Sequence, residues 1–135
     1  MRNDPKYSIA IVDDDPDDRE SIRDAFLENK YQHEYLFFGT ADELLGYLQN
    51  VKVNSRPALI LLDLNLPGMD GREALKEIKQ NQEFRHIPIV VLSTSSSYID
   101  KEASYSLGAN CFITKPDTFS KLKDITDSIA KLWVE

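Results

Sequence analysis

The chain has 135 residues, 41% of them hydrophobic, a single cysteine and a formal net charge of −7. That length suits one domain with a sizeable core, and the composition excludes a disordered chain, an intrachain disulfide and a cysteine-based zinc site. The acidic balance, with no run of Lys or Arg, argues against a nucleic-acid surface and against binding to anionic membranes. No apolar run approaches the ~20 residues that span a bilayer. The start, Met1-Arg2-Asn3-Asp4-Pro5-Lys6, is polar and carries no signal region. The expectation is a cytoplasmic protein, one domain over residues 1–135, with 1–6 a flexible N-terminus.

In chain order, Tyr7 to Val12 reads as a first strand, ending in Asp13-Asp14-Asp15-Pro16. Proline suits the first turn of a helix, so a helix starts at Pro16, with Asp15 as cap and Asp17 and Asp18 favourable against the helix dipole. Ile22, Ala25, Phe26 and Leu27 supply its apolar face. Glu34 to Phe38 is a second strand. Thr40 and Glu43 then form a capping box ahead of Leu44, Leu45 and Leu48 at helical spacing. Val51 to Pro57 reads as a loop. Ala58 to Leu62 is an unbroken apolar run, the signature of a strand buried on both faces. It ends in Asp63, and Pro67, Gly68 and Gly71 turn the backbone into a third helix bearing Ala74, Leu75 and Ile78. Ile87 to Leu92 is a fourth strand, with Pro88 tolerated near its start, and it runs into Ser93-Thr94-Ser95-Ser96-Ser97. A weaker helix spans Tyr98 to Leu107 and stops at Gly108. Asn110 to Thr114 is a fifth strand containing Cys111, expected to be a small buried residue. Lys115-Pro116 ends it. The last helix runs from about Thr118 to Leu132, with Phe119, Leu122, Ile125, Ile129, Leu132 and Trp133 at three- and four-residue steps.

Five strands alternating with helices predict an α/β fold, a parallel sheet covered on both faces in the flavodoxin-like order 2-1-3-4-5. A parallel sheet gathers all strand carboxyl ends on one edge. Strand one delivers Asp13 and Asp14 there, strand three Asp63, strand four Ser93 and Thr94, and strand five Lys115. Strands one and three flank the switch point, where such sheets bind ligands. Carboxylates that close repel unless a cation neutralises them, and an oxygen-only site open to solvent suits Mg²⁺. A carboxylate can act as nucleophile toward phosphorus, and Mg²⁺, the Lys115 ammonium and the Ser93 hydroxyl can each take one phosphoryl oxygen. Singly, the members have ordinary explanations: a solvated strand-end lysine, a serine-rich capping loop, a solvated first helical turn for Asp17 and Asp18. Together they are more specific, since each falls at the end of a predicted strand. His33 and His86 lie near strand starts, on the opposite edge, and are set aside.

These residues resemble the receiver domain of two-component response regulators over almost the whole chain, Tyr7 to Leu132. The resemblance is carried by Ile11-Val12-Asp13-Asp14, by Leu61-Leu62-Asp63-Leu64-Asn65-Leu66-Pro67-Gly68-Met69-Asp70-Gly71, by Ser93 and by Lys115-Pro116. More narrowly, Asp63-Leu64-Asn65-Leu66-Pro67 and Leu92-Ser93-Thr94-Ser95 resemble stand-alone regulators associated with bacterial phytochromes. The resemblance implies that Asp63 is the phosphoacceptor. It implies that Asp14, Asp63 and the Asn65 backbone carbonyl bind Mg²⁺, with Asp13 acting through water. It makes Ser93 the switch hydroxyl, Phe112 the aromatic switch, Lys115 the phosphoryl-pairing lysine, and Asn65 and Ser95 the positions that tune hydrolysis. It also implies a cis Lys115–Pro116 bond. Two positions depart from the family pattern: Thr94 stands where Ala or Gly is usual, and Phe112 where Tyr is frequent.

The implied function is a phosphoacceptor switch, not a turnover enzyme, that catalyses only its own phosphorylation and dephosphorylation. Its donor is a histidine kinase or histidine phosphotransfer protein. With no output domain expected after Glu135, its output is contact with a protein target, and dimerisation through the fourth-helix to fifth-helix face is a further route. Two alternatives stand beside it. A haloacid-dehalogenase-like phosphatase would use Asp13 as nucleophile and Asp15 as general acid, but Pro16 breaks that motif and Asp63 would have no role. A binding module, either a receiver-like scaffold that is never phosphorylated or a flavodoxin-like cofactor binder, would leave the strand-end set idle. For a cofactor such as FMN, strand one is followed by acids where a glycine- or hydroxyl-rich loop is needed.

Overall fold

In the computed structural model, which describes residues 7–134, the apolar runs form five parallel strands, each followed by a helix. The expected flexible segment 1–6 lies outside the described residues. The elements are β1 (Ser8–Val12), α1 (Pro16–Glu28), β2 (Glu34–Phe38), α2 (Ala41–Asn50), β3 (Leu59–Leu62), α3 (Gly71–Gln80), β4 (Ile89–Ser93), α4 (Tyr98–Ser106), β5 (Cys111–Thr114) and α5 (Phe119–Trp133). Within the predicted 51–57 loop, Val53–Ser55 winds into a short 3-10 turn. Sheet order is β2-β1-β3-β4-β5, as predicted, and every neighbouring pair is parallel.

The alternation of side chains along each strand divides the core in two. Ala10, Val12, Ile60, Leu62, Ile89 and Val91 face one side, with Leu44 and Leu48 of α2 and Ala74, Leu75 and Ile78 of α3. Ile9, Ile11, Leu59, Leu61, Val90 and Leu92 face the other, with Ile22, Ala25 and Phe26 of α1 and Leu122, Ile129 and Ala130 of α5. The central strand β3 is therefore apolar at every position, because both its faces are covered. Each of its leucines and its isoleucine is at most 2% exposed, and burying each stabilises the fold by roughly 1.5–3 kcal/mol.

Helix starts follow their caps. Asp15, Thr40 and Asp70 each accept a hydrogen bond from the first turn of their helix, and Ser97 and Thr118 do the same for α4 and α5. The predicted apolar faces are narrower than their spacing suggests: Leu27, Phe119 and Leu132 are exposed. Cys111 is half-buried rather than buried. The Lys115–Pro116 bond, expected to be cis, is trans, and no described peptide bond is cis. Trans is the lower-energy isomer even before proline, by about 0.5–1 kcal/mol.

Candidate functional site

The loops at the carboxyl edge are built by local hydrogen bonds that aim acids at one point. After β1, Asp13 Oδ1 accepts from the Asp15 amide at 3.0 Å, which folds Asp13 over the edge while Asp15 caps α1. The strand ladder runs one step past β3: the Asp63 amide donates to the Val12 carbonyl at 2.9 Å, so Asp63 is held beside the end of β1. Asp63 Oδ1 accepts from the Asn65 amide at 3.1 Å. The chain then returns through Gly71, whose amide donates to the Leu64 carbonyl at 2.9 Å. On the far side, the Lys115 amide donates to the Ser93 carbonyl at 2.6 Å, which fixes the lysine beside the end of β4.

The side chains converge. Asp13, Asp14 and Asp63 each present a carboxylate oxygen within 4.8 Å of the other two. Asp13 and Asp63 are buried, whereas Asp14 is exposed and opens the cluster to solvent. Such a set of hard oxygen donors with one open side fits a divalent cation that keeps several waters. Lys115 Nζ lies among the acids, donating to Asp13 Oδ2 at 2.6 Å, Asp18 Oδ2 at 2.9 Å and Asp63 Oδ2 at 3.2 Å. Burial by itself would lower the Lys115 pKa. The hydrogen bonds to Asp13 and Asp18 and the charges of Asp13 and Asp63 reverse that and raise it. Burial pushes Asp13 above its ordinary value, against the lowering effect of its bond to Lys115. At Asp13 burial outweighs the bond to the lysine, whereas at Lys115 the bonds to two carboxylates and the charges of Asp13 and Asp63 outweigh burial.

The structure thus brings together Asp13, Asp14, Asp63 and Lys115 as their strand-end positions predict. Ser93 is fully buried, and its hydroxyl accepts from the Ser95 amide at 3.2 Å, within its own loop. Thr94 is exposed and Phe112 half-buried. The Phe112 amide, on the outer edge of the sheet, donates to the Tyr105 hydroxyl at 3.0 Å.

Two features were not anticipated from the sequence. Asp18, read as part of a solvated helical face, is an acceptor for Lys115. The available signal is its place in the first turn of α1, where side chains lean back toward the helix N-terminus and hence toward the strand ends. Arg72 joins Asp70 at 3.2 Å and Asp100 at 2.8 Å, across elements whose proximity only the fold reveals. Ser95 adds a bond to Asp100 at 2.7 Å, and Asp100 is held below the usual carboxylate range by Ser95 first and Arg72 second.

Comparison with known proteins points one way. A family model described as a response regulator receiver domain matches residues 9–127. Response regulator Rcp1 of Synechocystis sp. is 38% identical over 136 residues, spanning 98% of this chain and 92% of that protein. Among solved structures, the phosphorylated cyanobacterial phytochrome response regulator RcpA superposes with a TM-score of 0.88 at 39% identity, covering 97% of this chain and 96% of that one. The Mn²⁺-bound form of Rcp1 superposes with a TM-score of 0.85 at 40% identity over the same shares of the two chains.

Proposed function

The chain belongs to the response regulator receiver domain family, and from that premise we propose that it is a phosphorylation switch in which Asp63 accepts a phosphoryl group. The observation that carries this reading is the Lys115 ammonium 3.2 Å from Asp63 Oδ2, beside carboxylates clustered tightly enough to hold a divalent cation. Asp14, Asp63 and the Asn65 carbonyl are assigned to Mg²⁺, with Asp13 reaching it through water. When bound, the ion neutralises the acids and supplies positive charge to the phosphoryl oxygens. The structure of Rcp1 with Mn²⁺ supports a divalent ion in a relative.

Asp63 attacks the phosphorus of a phosphohistidine in line. The N–P bond breaks as the carboxylate O–P bond forms, and the freed imidazole nitrogen takes a proton from solvent. Lys115 is already charged and close, so it stabilises the transferring group once one of its three N–H donors turns from a carboxylate to a phosphoryl oxygen. The Ser93 hydroxyl then takes a phosphoryl oxygen, Phe112 repacks, and the face of α4, β5 and α5 changes its contacts. Asn65 and Ser95 flank the group and set its hydrolysis. The chain therefore acts on its own phosphoryl group rather than turning over a separate substrate. A haloacid-dehalogenase-like reading finds no support, since Asp15 spends its side chain capping α1 and the matched family is the receiver family.

The donor is a histidine kinase or histidine phosphotransfer protein and the output a protein target, which a homodimer through the α4–α5 face would present twice over. The likeness to RcpA, a phytochrome response regulator, makes a phytochrome-type kinase the first donor to try. No helix among the described residues is long and apolar enough to cross a membrane. The test is labelling by acetyl phosphate with Mg²⁺: the unaltered protein takes one phosphoryl group and Asp63→Asn takes none. Full labelling of Asp63→Asn would overturn the assignment.

A further inference from the structure

The loop between β4 and α4 carries Ser93 at one end and is fastened at the other. Ser93 Oγ accepts from the Ser95 amide at 3.2 Å. Ser95 Oγ donates to Asp100 Oδ2 at 2.7 Å and accepts from the Ser97 amide at 3.1 Å. Asp100 Oδ1 accepts from Arg72 at 2.8 Å. Arg72, in the first turn of α3, also donates to both oxygens of Asp70, at 3.2 and 3.3 Å, and Asp70 caps α3. That end of α3 is seated on Asp63 itself: a Cβ at Gly71 would collide with the Asp63 carbonyl oxygen and come within 2.7 Å of Leu64 Cα. Hydrogen bonds and one close backbone contact therefore link the backbone of Asp63 and Leu64, through the start of α3, to the loop that carries the buried Ser93. The Arg72–Asp100 pair is the link that crosses from α3 to α4.

In this arrangement the Ser93 oxygen accepts from the Ser95 amide of its own loop, so carrying that oxygen to a phosphoryl group on Asp63 gives up this bond and loosens the Ser93–Ser97 segment. We infer that the Arg72–Asp100 pair is a clasp holding this loop in the unphosphorylated arrangement, which makes Arg72 and Asp100 positioning residues for the Ser93 hydroxyl. The inference rests on the phosphoacceptor reading of Asp63. By linkage, whatever stabilises the unphosphorylated arrangement weakens binding of a phosphoryl group by the same factor. Both side chains are only partly buried, 31% exposed for Arg72 and 27% for Asp100. An ion pair of that exposure sets a factor of about two to five.

The experiment titrates beryllofluoride, a stable stand-in for the phosphoryl group, into the full chain with saturating Mg²⁺. Arg72→Gln and Asp100→Asn are each expected to tighten binding about two- to fivefold. The double variant should gain no more than either single one. Neither substitution should tighten binding in a Ser93→Ala background, because the clasp acts through that hydroxyl. Unchanged or weaker binding by folded variants, or an equal gain in Ser93→Ala, overturns the clasp. A second measurement needs no variant: in a crystal structure of the beryllofluoride complex the Arg72–Asp100 pair should be open, and an intact pair overturns the clasp while leaving the phosphoacceptor reading standing. If the unaltered protein neither binds beryllofluoride nor labels with acetyl phosphate, the phosphoacceptor reading fails and the clasp fails with it.

Discussion

Lys115 concentrates the electrostatics of the site in one atom. An ammonium has three N–H donors, and here each meets a different carboxylate, those of Asp13, Asp18 and Asp63. Its raised pKa fixes the sign of its contribution. A cation whose folded pKa exceeds its unfolded value stabilises fully below the unfolded value and loses that only as pH rises through the folded one. Across the neutral range Lys115 is therefore charged and at full effect. Lys115→Met removes the cation and leaves Asp13 and Asp63 buried together, a change that costs about 3 kcal/mol when a buried pair is broken. The loss should appear in urea unfolding at pH 7 in EDTA. It should shrink toward pH 4–5, because Asp13 is already biased toward its neutral form by burial. A loss equal at both pH values would show that Lys115 serves packing rather than charge. Asp18 belongs to the same account. In the sequence it is one acid among six crowded into eight positions from Asp13 to Glu20, and nothing local separates a dipole-favouring acid from one that reaches a lysine 97 positions away.

The elements separate what short-range chemistry specifies from what it does not. Gly46 and Gly71 are both helical, yet substitution should act in opposite senses. Gly46 lies inside α2, and a Cβ added there would meet nothing within 4 Å, so Gly46→Ala should stabilise by roughly 0.5–1 kcal/mol through helix propensity. Gly71 opens α3 against the backbone of Asp63 and Leu64. Gly71→Ala should cost about 1–3 kcal/mol by overpacking, and should also slow labelling of Asp63, since the strained atoms belong to the proposed phosphoacceptor and its neighbour. Urea midpoints and acetyl phosphate labelling check both, and a stabilised, normally labelled Gly71→Ala would contradict this packing. The same contrast explains how much of the fold is legible in the sequence. Strands and caps are readable because β3 buries both faces and because Asp15, Thr40 and Asp70 meet amides two or three residues away. Helical spacing places Phe119 and Leu132 on an apolar stripe, but the width of the covered face depends on neighbouring elements, and both are exposed. The cis isomer at Lys115–Pro116 is implied by resemblance alone, and local energetics favour the trans bond found. The Arg72–Asp100 contact joins residues 28 apart with no shared periodicity, so only the fold that brings the start of α4 within reach of the start of α3 creates it.

At the scale of the whole molecule, the parallel sheet itself gathers the acids. With every strand running one way, the residues that follow β1 and β3 must share an edge, so Asp13, Asp14 and Asp63 converge whatever their mutual repulsion. The chain adds to that strain, since its 23 acids exceed its 16 bases and distant charges relieve little of it. The two apolar layers supply the stability that holds like charges together, and a cation bound only by the folded state returns some of it. Mg²⁺ should therefore raise the thermal midpoint in a saturable way. At a concentration one hundred times its dissociation constant the gain is about 2.7 kcal/mol, or about 10 °C for a domain of this size. Asp14→Asn should remove most of that gain, because it deletes the exposed carboxylate through which the cluster opens to solvent. In EDTA the same substitution should leave the midpoint unchanged or raise it, since one repelling charge is gone. Scanning calorimetry of the two proteins with and without Mg²⁺ distinguishes these outcomes: a midpoint indifferent to Mg²⁺ in the unaltered chain, or an undiminished shift in Asp14→Asn, would remove the acidic cluster from its assigned role as the metal site.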